Sequence, residues 1–108
     1  MRFWTILLGM VALTTSAPSD GARALDEARQ AELRKLVREE CTQCHGPGRI
    51  GGEGPSLLPS DIKAKDKDEL VSTILNGRDS RMPPWYTRLS PEDVRFIVEH
   101  ILPSEPEP

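Results

Sequence analysis

Apolar residues recur at helical spacing in three stretches of this 108-residue chain. In the first, over residues 26–43, Leu25, Ala28, Leu33, Leu36 and Val37 form a stripe, and charge fills most other positions. This helix runs directly into two cysteines. Residues 46–60 then carry Gly46, Gly48, Gly51, Gly52 and Gly54 with Pro47, Pro55 and Pro59, a density that predicts a loop. Asp66 opens the second helix as N-cap, with Glu69 as its capping-box partner; Leu70, Val71, Ile74 and Leu75 form its stripe, and Gly77 follows its end. The third helix starts at Ser90 as N-cap, with Pro91 in the first turn and Glu92 and Asp93 at the positive end of the dipole. Val94, Ile97, Val98, Ile101 and Leu102 form its buried side, and Pro103 stops it. No period-two alternation appears, so the expected class is all-α.

The N-terminal stretch reads as an address rather than as fold. Arg2 is followed by an uncharged, mostly apolar run over 3–13, and Ala22-Arg23-Ala24 matches a small-residue cleavage site. The run is shorter than the roughly 20 apolar residues that span a bilayer. The expected division is a signal peptide over 1–24, a single domain over 25–103 and a disordered tail over 104–108. Retention of the first segment as an anchor is the rival reading. The mature chain is then 84 residues long, and so small a domain usually needs a staple beyond its core. It carries 12 basic and 16 acidic residues, without the concentrated basic face of a nucleic-acid binder.

The sequence Cys41-Thr42-Gln43-Cys44-His45 supplies a staple. C-x-x-C-H is the attachment signature of a c-type haem: sulfurs three residues apart at a helix end meet two vinyl groups on one porphyrin edge, and the next imidazole turns to the iron. A disulfide or thioredoxin-like pair uses the same spacing, but the latter also expects a βαβ context. A zinc site would need a fourth donor, and only His100 is left among the usual nitrogen and sulfur ligands. Electron transfer by haem calls for a sixth ligand, and methionine there raises the potential. Met82 is the one methionine after residue 24, and the run Met82-Pro83-Pro84-Trp85 stiffens its surroundings. A gap-filling core role for Met82, or ligation by His100 instead, are the alternatives. His100 lies off the third helix's stripe and reads as a surface residue.

Together, Cys41-Thr42-Gln43-Cys44-His45, Gly54-Pro55-Ser56-Leu57, Met82-Pro83-Pro84-Trp85 and the final amphipathic helix resemble a small class I monohaem cytochrome c over nearly all of residues 25–103. The resemblance implies three main helices and loops around one covalent haem c, with the first and last helices packed together. It assigns Cys41 and Cys44 to attachment, His45 and Met82 to the iron, and the Pro55 carbonyl to the proximal imidazole. More narrowly, Gly51-Gly52-Glu53-Gly54-Pro55-Ser56-Leu57, Thr73-Ile74-Leu75-Asn76-Gly77-Arg78 and the methionine segment resemble the NirC-type cytochromes encoded beside the haem-cd nitrite reductase of denitrifying bacteria. That likeness implies a monomeric periplasmic electron carrier, no enzyme, with no nucleic-acid or membrane partner after cleavage. Its partner would be the nitrite reductase or the proteins that assemble haem d. A peroxidase or gas sensor is the remaining class, and no distal His–Arg pair supports it.

Leu57, Leu58, Ile62, Leu70, Ile74 and Trp85 are candidates for the pocket wall. Seven basic residues over 45–88 (Arg49, Lys63, Lys65, Lys67, Arg78, Arg81 and Arg88) make this the least negative segment; they read first as solvated surface charge, and a weakly basic docking rim is the alternative.

Overall fold

The computed structural model describes residues 9–12 and 25–106. Most of the candidate signal peptide lies outside that range, and residues 9–12 are exposed and without regular structure. No described helix is long and apolar enough to cross a membrane.

The described chain is helical, as the periodicity predicts. Helix α1 (Glu27–Leu36) is capped by the Asp26 carboxylate, which accepts from the Arg29 amide at 2.7 Å. It continues without a break through a π-helical turn at Val37–Cys41 into α2 (Thr42–His45), so the first helix ends two residues later than expected and carries His45 itself. The wide turn has a packing reason. Positions four apart drift by about 40° in a regular α-helix, and a wider turn offsets this drift, keeping Leu33, Val37 and Cys41 against one core. Ala28, expected in the stripe, is exposed, because the contact made by this end of the helix passes to Arg29.

Helix α3 (Pro59–Lys63) was not expected: Pro59 stands in its first turn and buried Ile62 anchors it. Helix α4 (Lys67–Asn76) starts where Asp66 accepts from the Glu69 amide at 3.0 Å. The reciprocal capping box forms instead at α5 (Pro91–Phe96), between Ser90 and Asp93. A second π-helical turn, Ile97–Ile101, continues α5. Among the described residues there is no strand, only an isolated bridge between Arg78 and Met82.

The first and last helices pack on each other. Leu33, Val37, Val94, Ile97, Val98, Ile101 and Leu102 join Ile62, Val71 and Leu89 in one buried cluster. A half-buried ion pair locks the same contact: Arg29, partly exposed, grips Asp93 through Nε and Nη2 at 3.0 and 2.7 Å, and Asp93 is 5% exposed. The Arg29 guanidinium thereby holds the Asp93 carboxyl below the usual carboxylate range. Stability from a depressed carboxyl is present above its unfolded value, about pH 4, and lost as pH falls through the folded one. Asp93→Asn should therefore cost about 2–3 kcal/mol at neutral pH and flatten the loss of stability below about pH 4. Urea midpoints across a pH series check this.

The chain after Pro103 was expected to be loose, but Ser104 is tied down. Its amide and hydroxyl donate to the carbonyls of Ile101 and His100, both at 3.1 Å, and its carbonyl accepts from Arg49 at 2.6 Å.

Candidate functional site

The end of α2 and the glycine-rich loop form one unit. The last carbonyls of a helix lack intrahelical partners, and here the loop folds back to supply them. The Gly51 amide donates to His45 O at 2.7 Å and the Gly54 amide to Cys44 O at 2.8 Å. Gly46 makes the reversal, at φ 84° and ψ 156°, a conformation essentially confined to glycine.

This fold-back places Pro55 beside His45. The imidazole Nδ1 lies 2.6 Å from the Pro55 carbonyl oxygen. A carbonyl only accepts, so Nδ1 carries the proton and Nε2 keeps its lone pair free for a metal. Gly54 leaves room for the ring: a β-carbon there would stand 2.9 Å from Cε1 and Nδ1 of His45.

Cys41 and Cys44 are unpaired thiols on one helical stretch, Cys41 partly buried against the core and Cys44 exposed. Burial pushes the Cys41 thiol up to about 11, with Glu40 adding to the rise. A thiol so protonated is a poor thioredoxin-like nucleophile, which depends on a depressed value. Among the described residues no group of three or more His, Cys, Asp or Glu stands together as a metal-ion site. His100 is exposed and stacks beside Phe96, with ring centroids 5.1 Å apart.

Met82 is partly buried, in a segment strapped to the end of α4. Its amide and carbonyl both pair with Arg78 at 3.1 Å, and the turn between them has Asp79 and Ser80 at φ 52° and 57°. Two positive φ values in succession are what a type I′ turn requires. Trp85 then donates its amide to the carbonyls of Ile74 and Leu75, both at 3.1 Å.

Of the proposed wall residues, Ile62 is buried in the core; Leu57, Leu70, Ile74 and Trp85 pack against it, and Leu58 is half-buried. Arg49, counted with the basic rim, is not on it. It is 4% exposed and donates to the carbonyls of Leu102 and Ser104 at 3.2 and 2.6 Å, joining the loop to the end of the last helix. Arg78 and Arg88 are exposed but paired, with Asp79 and Glu40. The rim is thus smaller than residue counting implied.

An imidazole fixed through Nδ1 with Nε2 left uncommitted, two free sulfurs on the preceding helical turns, and a helical shell are the fittings of a c-type cytochrome. Comparison with known proteins gives the same class. Residues 28–101 match the family model described as cytochrome c oxidase, cbb3-type, subunit III. Cytochrome c55X of Pseudomonas aeruginosa is 39% identical over 98 residues, which are 88% of this chain and 82% of that one. The solved structure of a c-type cytochrome NirC is 40% identical with a TM-score of 0.72, covering 78% of this chain and all of the other. The chain therefore belongs to the c-type cytochromes, and within them to the NirC-type monohaem proteins, electron carriers rather than enzymes whose cofactor is one covalent haem c. It is also similar to part of a dihydro-heme d1 dehydrogenase, NirN, solved in complex with DHE, at 33% identity and a TM-score of 0.58; the match covers 67% of this chain but 16% of that one.

Proposed function

We propose that this protein carries single electrons in the periplasm to the haem-cd nitrite reductase of denitrification. The reading is carried by His45, whose Nδ1 is committed to Pro55 O and whose Nε2 is left for iron. In this reading Cys41 and Cys44 would hold the porphyrin by thioether bonds, His45 and Met82 would serve as the iron's protein ligands, and the Pro55 carbonyl would fix the imidazole's orientation and raise its basicity. Bound haem c supplies a one-electron Fe(II)/Fe(III) couple. The protein's part is to keep both ligands in place in each oxidation state. Residues 1–24 act as the cleaved export signal.

A second reading is supported by the likeness to NirN, whose name denotes removal of hydrogen from dihydro-haem d1. Such an oxidation releases two electrons, which two single-electron carriers would take up. A strain lacking the gene separates the readings. Loss of nitrite reduction with the reductase fully loaded with haem d1 supports delivery to the reductase; a reductase lacking haem d1 supports the assembly role. Normal nitrite reduction with normal haem d1 contradicts both.

A further inference from the structure

The helix that bears Cys41, Cys44 and His45 and the segment that bears Met82 are far apart in sequence, and a specific set of side chains joins them. Arg88 Nη2 donates to both carboxylate oxygens of Glu40, at 3.1 and 2.9 Å, across 48 residues. Glu40 directly precedes Cys41. The same guanidinium lies over the Trp85 ring, 4.8 Å from its centroid, within the range of a cation–π contact. Trp85 follows Met82 by three residues and is fastened through its amide to the end of α4. Its carbonyl accepts from the Arg88 and Leu89 amides, both at 2.9 Å, and Leu89 is buried in the core.

From this geometry we infer that Glu40, Arg88 and Trp85 form a clamp that positions the methionine segment against the attachment helix and sets how firmly Met82 holds its axial place. The inference rests on Met82 being a ligand. A thioether binds weakly, so its occupancy depends on how little its backbone moves, and ordering that backbone beforehand removes an entropic cost. The Glu40–Arg88 pair is half in water, with side chains 35% and 55% exposed, and as an isolated surface pair would contribute little to global stability. Stacking on Trp85 narrows the guanidinium's freedom and makes the pair directional. Its effect is therefore expected on local opening of the methionine segment more than on unfolding. Arg88, Glu40 and Trp85 are positioning residues.

The test compares holoproteins carrying Arg88→Ala, Arg88→Lys and Glu40→Gln with the parent. The readout is the rate at which imidazole displaces the sixth ligand, with the far-red sulfur-to-iron charge-transfer band and the reduction potential measured alongside. Arg88→Ala should speed displacement roughly five-fold while the urea midpoint changes little. Arg88→Lys, which keeps charge but neither fork nor stacking plane, should recover part of the difference. Arg88→Ala and Glu40→Gln combined should be non-additive. Displacement at parental rates in all three variants would overturn the clamp, provided Met82→Ala abolishes the charge-transfer band. If Met82→Ala leaves that band intact, the axial reading fails first and the clamp fails with it.

Discussion

Met82→Ala should lower the reduction potential by on the order of 100 mV or more, since axial-ligand identity moves haem potentials across roughly 0.8 V and methionine lies on the high side. A soft, neutral thioether favours the reduced iron; water or an exogenous anion in its place favours the oxidised one. The far-red charge-transfer band should vanish and cyanide should bind rapidly. The fold should survive, because Met82 is only partly buried and its segment is held by backbone bonds at Arg78, Ile74 and Leu75 that the substitution leaves in place. Voltammetry and absorption spectra check the prediction. An unchanged potential would remove Met82 from the iron, and a parent protein that is already high-spin and binds cyanide rapidly would reopen the peroxidase or sensor class.

Gly46→Ala should be the most damaging substitution to the fold. A β-carbon at Gly46 would stand 2.2 Å from the Gly51 carbonyl oxygen, backbone against backbone, and the φ of 84° is itself unfavourable for alanine. Strain and overpacking together cost about 3–5 kcal/mol. A domain of this size has roughly 4–12 kcal/mol in total. The damage is also local to the chemistry, because moving Gly51 loosens its bond to His45 O and the loop that brings Pro55 to the imidazole. The expected result is a much lower urea midpoint by far-UV circular dichroism and a poor yield of haem-loaded protein. A midpoint equal to the parent's would mean that the loop readily adopts another path.

Much of this architecture is legible in local sequence. Ser90-Pro91-Glu92-Asp93 announces a helix start because N-capping is decided within four residues, and the reciprocal cap forms there. The apolar stripes of the first and last helices name most of the buried cluster. The imidazole–carbonyl bond from His45 to Pro55, implied by resemblance, is present in the geometry.

What sequence left hidden depends on long-range pairing. Arg49 reads as surface charge in a loop, yet it is buried because two carbonyls more than 50 residues away need a donor. Arg29 and Asp93 look like ordinary first-turn charges, and only the packing of the two helices makes them a bidentate, half-buried pair. The short helix α3 was lost in the glycine and proline count of 46–60, although Pro59 at a helix start and apolar Ile62 three residues later were its available signals. The π-helical turns before Cys41 and at the end of the last helix follow from fitting two stripes to one core, which no local propensity encodes.

The most direct measurement is the intact mass of the purified exported protein, taken with its absorption spectrum. The polypeptide of residues 25–108 plus one haem bonded through both thiols, in a red protein with a low-spin spectrum, is the predicted result. A colourless product with the mass of the bare polypeptide, or a haem that acidified organic solvent extracts, would contradict it.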